Sequence, residues 1–285
     1  MQEETSVLSI EQAGAGVRRL RLAAPGTCAS ARPGQFVHVR VPALDPGAMR
    51  RPISICDAGG GVLTLVFKIV GRGTEALAAV RPGDKVDVLG PLGNGFPVSG
   101  PGAAPNSAAA APCSAAAGNG DPTSRFYALV GGGYGVAPLY FLARELLRLG
   151  APASRVAVFA GGRTAADILL AEDFAALGVA VHPATEDGSL GARGLVTAPL
   201  DAWLEAHAPD RVAIYACGPA PMLRALDERA ARIGCEAWLS LDRRMACGIG
   251  ACLGCVQKTR TPSGTETLSR VCVDGPVFPA GTLVW

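Results

Sequence analysis

The sequence predicts a multi-domain β plus α/β chain: an N-terminal antiparallel β-barrel, a Rossmann-like parallel-sheet domain, and a small C-terminal domain built around a cysteine loop. Three observations carry that expectation. Residues 1–97 read as short strands punctuated by Pro-Gly turns, residues 125–237 alternate strand and amphipathic-helix patterns, and residues 238–285 hold four cysteines in the order C-x4-C-x2-C, a gap, then C. Between the first two parts, residues 98–124 are rich in Ala, Gly, Pro and Ser and poor in large apolar residues. Such a stretch cannot bury enough surface to order itself, so it reads as a linker, with Cys113 incidental within it.

Composition narrows the class. The chain has 285 residues, 49% of them hydrophobic and 18% charged, with a formal net charge of +2. Its basic residues are scattered, which argues against nucleic acid as a partner. No run of apolar residues reaches the length of a membrane helix, and the N-terminus MQEETSVLSI lacks a basic start followed by an apolar core, so a cytoplasmic protein is expected. Nine cysteines is an odd count. Outside the four-cysteine motif, Cys28, Cys56, Cys113, Cys217 and Cys235 suggest no disulfide framework, which fits a reducing compartment.

In the barrel region, residues 35–41 alternate and residues 62–70 form a β-rich run of strand length. Arg51-Pro52-Ile53-Ser54 sits between them. An arginine on a proline-stiffened strand can pair with a phosphate while Ser54 reaches a ring edge, although alone the tetrapeptide reads more simply as a strand start with a surface arginine. Gly71-Arg72-Gly73-Thr74 follows the strand ending at Val70 and precedes a helical pattern, so Gly73 and Thr74 fall at a helix N-terminus, where anions are favoured.

In the α/β region, residues 126–130 predict a strand, residues 131–135 (GGGYG) a turn, and residues 136–149 a helix with Leu139, Leu142, Leu146 and Leu149 on one face. Further strands are expected at 155–160, 179–184 and 211–217. Gly131, Gly132, Gly133 and Gly135 let the backbone approach a diphosphate, although a lone glycine-rich turn is as often a tight connection and this one departs from G-x-G-x-x-G. Cys217-Gly218-Pro219 ends a later strand at the edge where open α/β sheets bind ligands, and Gly162, Arg163, Glu186 and Asp187 follow strands at that edge. Cys217 reads equally well as a small buried apolar residue.

Residues 235–241 predict the last strand, which delivers the chain to the cysteine loop. Cys247, Cys252, Cys255 and Cys272 have the plant-type spacing for a 2Fe-2S cluster, and Gly248, Gly250 and Gly254 let a loop turn sharply and aim amides at sulfur. A tetrahedral zinc site and four unrelated buried thiols are the other readings, the first usually showing paired C-x2-C motifs.

These motifs resemble a known family. The RPIS strand, the G-x-G-T turn and the glycine-rich 89–96 segment resemble the flavin domain of ferredoxin reductase-like flavoproteins, and GGGYGVAP with CGPAPM resembles their pyridine-nucleotide domain. The run 240–255 (SLDRRMACGIGACLGC), with 270–278 (RVCVDGPVF), closely resembles the electron-transfer subunits of NAD-dependent dihydroorotate dehydrogenase B. The resemblance implies FAD held by Arg51, Pro52, Ile53 and Ser54, lined by Lys68, Ile69 and Val70, with its pyrophosphate on Gly73 and Thr74. It implies NAD, preferred over NADP, with the diphosphate at Gly131, Gly132, Gly133 and Gly135 and the nicotinamide near Cys217, Gly218 and Pro219. It further implies domains at 1–97 (FAD), 125–237 (NAD) and 238–285 (2Fe-2S), and an FMN-containing dihydroorotate dehydrogenase catalytic subunit as partner in a heterotetramer. No general base or nucleophile is expected, because the chain would carry electrons and leave the pyrimidine chemistry to that partner. A reductase arm of another NAD(P)H, ferredoxin or hydrogenase complex, and a non-enzymatic metal scaffold, are the competing readings.

Overall fold

The computed structural model describes residues 1–41, 49–98 and 123–285. The predicted linker lies almost wholly outside the described residues, as does Cys113.

The alternating N-terminal sequence closes into a barrel of β1 (Gln2–Gly14), β2 (Val17–Ala23), β3 (Phe36–Arg40), β4 (Arg51–Gly59), β5 (Val62–Lys68) and β6 (Lys85–Leu92). The spatial order is β1-β2-β5-β4-β3-β6, and β6 pairs antiparallel with β1 to close the ring. Alternation explains the interior. Leu63, Leu65 and Phe67 of β5 point inward with Leu20 and Leu22 of β2 and Val37 and Val39 of β3, all buried. Each such side chain contributes about 1.5–3 kcal/mol by leaving water. The short α1 (Pro25–Cys28) and α2 (Arg72–Ala78) flank the barrel, and Leu77 of α2 packs into its core.

The α/β region forms a sheet of seven strands ordered β10-β9-β8-β7-β11-β12-β15. Its strands are β7 (Phe126–Gly132), β8 (Val156–Gly162), β9 (Ala180–Thr185), β10 (Ala192–Arg193), β11 (Val212–Cys217), β12 (Glu236–Ser240) and, from the C-terminal segment, β15 (Val277–Pro279). All neighbours pair in parallel except β12 with β15. On one face lie α3 (Ala137–Arg148) and α4 (Ala171–Ala176), with Leu139, Leu142 and Leu146 buried at helical spacing. On the other lie α5 (Thr197–Glu205) and α6 (Ala220–Ile233), the latter burying Leu223, Leu226 and Ala230. Gly234 ends α6 at φ +72°, a left-handed cap.

The expectation that 235–241 is the last strand is corrected. Beyond β12 the chain builds a hairpin of β13 (Val256–Arg260) and β14 (Glu266–Arg270), then returns to pair β15 with β12. The buried Asp227 of α6 pins the end of the chain, accepting from Gly281 N and Trp285 Nε1 at 2.6 Å each. Among the described residues no helix is long and apolar enough to cross a membrane.

Candidate functional site

Strands β7 and β11 are parallel neighbours in a register that pairs Gly131 with Cys217. Their loops therefore leave the same sheet edge side by side, although the two motifs are far apart in sequence. The contact is backbone against backbone. A Cβ on Gly135 would run into the Cys217 carbonyl, and one on Gly218 would stand 2.9 Å from Gly132 N. Only glycine permits this approach. The two loops border a cavity of about 490 Å³ whose opposite wall includes Val17 and Lys68 of the barrel. Arg163 and Glu186 stand exposed at its rim, on loops joined by Glu186 N to Gly162 O at 3.1 Å and Asp187 N to Arg163 O at 3.2 Å. Cys217 is itself buried, and burial, reinforced by the charge of Asp242, pushes its thiol up to about 12. The thiol is thus held protonated in the strand's interior, and Pro219 of the same turn lines the cavity.

The barrel face shows a second arrangement. Arg51 opens β4, and its guanidinium lies on Gly73, where a Cβ would stand 2.5 Å from Nε. This puts a fixed positive charge at the start of α2, the geometry that an anionic diphosphate requires. The Thr74 hydroxyl accepts from Val70 N at 2.8 Å and Gly71 N at 3.1 Å and donates to Gly71 O at 2.8 Å. It thus shapes the turn rather than projecting from it. Ile53 points into the barrel core, whereas Pro52 and Ser54 lie on the outer face of β4, opposite His38 and Phe36 of β3. Lys68 reaches the cavity wall, Ile69 packs on the barrel core, and Val70 is 76% exposed beside them. An outward apolar residue next to a cationic cradle fits a flat aromatic cofactor carrying phosphates.

The four cysteines meet because of the C-terminal hairpin. Cys255 immediately precedes β13 and Val271 follows β14, and Val271 N donates to Cys255 O at 3.2 Å, so the base of the hairpin sets Cys272 beside Cys255. In the loop before it, Cys252 N points at Cys247 Sγ and Gly254 N at Cys252 Sγ, each at 3.4 Å. The Ile249 amide, with those of Cys252 and Ala251, lowers the Cys247 thiol to about 6, while burial and the neighbouring Cys255 raise Cys272 to about 12. The thiols thus form two pairs, Cys247 with Cys252 and Cys255 with Cys272. Among the described residues no three His, Cys, Asp or Glu side chains converge as one metal ion requires. A binuclear centre takes two thiolates on each metal, so paired thiols with amides aimed at sulfur fit a 2Fe-2S cluster better than tetrahedral zinc. Gly248 and Gly250 have φ of +70° and +83°, Leu253 is a further left-handed position at +56°, and Gly254 aims its amide at Cys252 Sγ.

Three contacts escaped sequence reasoning. Asn94, beyond β6, clamps the C-terminal segment: Nδ2 donates to Val277 O at 2.8 Å and Oδ1 accepts from Val277 N at 2.9 Å. His38 of β3 packs its ring on Gly248. Tyr134, in the GGGYG turn, donates to Asp242 at 3.1 Å. Each joins segments remote in sequence, and no local pattern marks them.

Comparison with known proteins agrees with this layout. An iron-sulfur cluster binding domain of dihydroorotate dehydrogenase B matches residues 242–284, and an oxidoreductase NAD-binding domain matches residues 129–228. The dihydroorotate dehydrogenase B (NAD(+)) electron transfer subunit of Bacillus caldolyticus is 44% identical over 255 residues, 89% of this chain and 87% of its own. That of Lysinibacillus sphaericus strain C3-41 is 40% identical over 285 residues, covering 99% of this chain and 98% of its own. A solved NADH-dependent reduced ferredoxin-NADP oxidoreductase superimposes with a TM-score of 0.78 at 26% identity, over 99% of this chain and 90% of that one. The cytochrome b5 reductase domain of Ulva prolifera nitrate reductase, at 19% identity and a TM-score of 0.60 over 86% of this chain and 96% of that one, shares the fold.

Proposed function

Since the chain belongs to the electron transfer subunits of dihydroorotate dehydrogenase B, we propose that it takes electrons from a catalytic subunit oxidising dihydroorotate to orotate and passes them through a 2Fe-2S cluster and FAD to NAD+. The observation that carries the reading is the order of three neighbouring barrel strands. Lys68 at the end of β5 walls the nucleotide cavity, β4 beside it begins with Arg51-Pro52-Ile53-Ser54, and β3 beyond it holds His38 against the cysteine loop. FAD, when bound, supplies the exchange between a two-electron carrier and a one-electron cluster, which cannot react directly.

The chain's own residues bind and orient. Arg51 holds the pyrophosphate at the turn that Gly73 keeps open and Thr74 braces, and Pro52, Ser54, Lys68, Ile69 and Val70 border the ring, with Ile53 fixing the strand from inside. Gly131, Gly132, Gly133 and Gly135 receive the NAD diphosphate, and Cys217, Gly218 and Pro219 offer backbone beside the nicotinamide. Cys247, Cys252, Cys255 and Cys272 would hold the cluster. The domains are 1–97, 125–237 and 238–285, with β15 tying the third to the sheet of the second. The partner is an FMN-containing catalytic subunit in a heterotetramer, docking where Ile249 and Leu253, 58% and 61% exposed, flank the exposed Cys252. No disulfide joins the described cysteines, which supports a cytoplasmic setting.

The test replaces Cys252 with serine, a far poorer iron ligand. Reduction of an artificial dye by NADH, handled at the flavin, should persist, while dihydroorotate-to-NAD transfer in the assembled complex should vanish with FAD still bound. Transfer that survives without the cluster would show the route to be wrong. Loss of both activities with FAD retained would show that the roles are not separable. The likeness to the ferredoxin-NADP oxidoreductase keeps one alternative partner class in view, and co-purification from the native cell distinguishes it.

A further inference from the structure

His38 has a chemistry that the barrel does not use. Its neighbours Val37 and Val39 face the barrel core, whereas His38 lies on the opposite face of β3 with Phe36, edge-on at 5.9 Å between ring centroids. Phe36 in turn shares its apolar cluster with Cys255 and Cys272. The imidazole is 0% exposed, and neither Nδ1 nor Nε2 has a hydrogen-bond partner among the described residues. Buried polar atoms are seldom left in that state, so an orphaned pair calls for an acceptor or donor supplied from elsewhere. The direction in which the ring faces narrows the source. A Cβ on Gly248 would stand 2.7 Å from Cε1, 2.8 Å from Nδ1 and 3.0 Å from Nε2, so the N–C–N edge abuts the loop immediately after Cys247. Burial, followed by the charges of Arg50 and Arg51, lowers the ring below its ordinary value, and an imidazole carries at least one N–H donor in either protonation state.

We propose that His38 donates its ring N–H to a sulfur of the cluster held by Cys247, Cys252, Cys255 and Cys272, and thereby sets that cluster's reduction potential from the flavin-bearing barrel. The proposal rests on the assignment of the cluster to these four thiols. A hydrogen bond to sulfur stabilises the more negative, reduced cluster and so raises its potential. The side chain that tunes the cluster then belongs to β3, the strand next to the one carrying Arg51–Ser54, so seating of the cluster loop on the barrel and tuning of the cluster are a single contact.

The test uses the anaerobically purified full chain, His38→Phe and His38→Gln, with iron, acid-labile sulfide and FAD measured in each. The potential of the cluster is read by redox titration of its electron paramagnetic resonance signal. His38→Phe keeps a planar ring and loses the donor, so the cluster potential should fall with cofactor content intact, while His38→Gln, which keeps an N–H donor, should recover most of the shift. In the wild type, pulsed resonance on protein grown with isotope-labelled histidine should detect an imidazole nitrogen coupled to the reduced cluster. That measurement needs no variant, so a failure of His38→Phe to fold does not remove the test. A cluster potential unchanged in His38→Phe, a shift confined to the flavin potential, or no histidine coupling in a wild type that does hold the cluster would each overturn the proposal. A wild type without acid-labile sulfide would instead overturn the cluster assignment itself.

Discussion

Replacing Gly135 with alanine should separate the two nucleotide loops. The new Cβ would stand 2.7 Å from the Cys217 carbonyl carbon and 2.9 Å from Gly218 Cα, and both are backbone atoms of a strand end buried at the centre of the sheet. Carbon atoms at rest stay about 3.5 Å apart or more, so the loops must part by roughly 0.6–0.8 Å. Overpacking of this kind costs about 1–3 kcal/mol. If that strain is expressed in nucleotide binding, it weakens NADH by about 5- to 150-fold, at 1.4 kcal/mol per tenfold. The assay is NADH titration with steady-state dye reduction, reading KM against kcat, with FAD content checking the barrel. Gly234→Ala is the control: it too adds a Cβ, here at a φ of +72°, but with nothing within 4 Å and at the far end of α6. It should cost about 1 kcal/mol of stability and leave NADH affinity unchanged. Gly135→Ala binding NADH as tightly as the wild type, with unchanged stability, would refute the claim that these loops are held together by their lack of side chains.

Other outcomes follow from other contacts. Burial would raise the Asp87 carboxyl, but hydrogen bonds from Arg50, Arg40 and Gln2 outweigh it and hold the group below its ordinary value. Its stabilisation is therefore full above the ordinary carboxylate pKa and lost as pH falls through the lower folded value, so Asp87→Asn should flatten the acid limb of a Tm-against-pH curve while lowering Tm at pH 7. Leu253→Gly should relieve roughly 1 kcal/mol of left-handed backbone strain at φ +56° and leave the loop at least as stable, yet weaken binding of the catalytic subunit by removing an exposed apolar anchor. Calorimetric titration of the two subunits reads the second effect, and unchanged affinity would move the docking surface elsewhere. Asn94→Ala should cost about 1–3 kcal/mol by leaving the Val277 amide and carbonyl unmet, and should lower iron retention before FAD retention; equal loss of both would show that Asn94 braces the barrel instead.

What was legible in the sequence was what local periodicity encodes. The inward Leu63-Leu65-Phe67 alternation and the Leu139-Leu142-Leu146 stripe each announce an element without reference to anything distant, and so did the motifs at its ends. The hairpin of β13 and β14 was not legible. Its strand VQKTR carries one apolar residue, because the hairpin is a lever that aligns Cys255 with Cys272 rather than a core strand. β15 was also missed: three residues after a Gly-Pro give no period, and their strand character comes from β12 alone. Leu253 shows the limit of residue-type reasoning. Gly248, Gly250 and Gly254 marked the sharp turns of the loop, yet Leu253 also takes a left-handed conformation, at φ +56°, which no residue-type rule would place on a leucine.

The order of electron carriers is not the order of the chain. Along the sequence the barrel comes first, the nucleotide sheet second and the cysteine loop last, which places the two ends of the proposed route next to each other and its middle at one end. Strand order in the barrel removes the difficulty. β5, β4 and β3 are successive hydrogen-bonded neighbours, so Lys68 at the cavity, the Arg51–Ser54 segment and His38 at the cysteine loop lie on three adjacent strands. Strands in a sheet are about 4.8 Å apart, so the span from first to third is about 10 Å. The chain beyond the cysteine loop is fixed twice, by β15 on β12 and by Asn94 on Val277. Those two anchors hold the third segment against the first while its own short strand completes the sheet of the second. The flavin-type barrel is in this way the shared wall of both outer sites, with Lys68 of β5 at the nucleotide cavity and His38 of β3 at the cysteine loop.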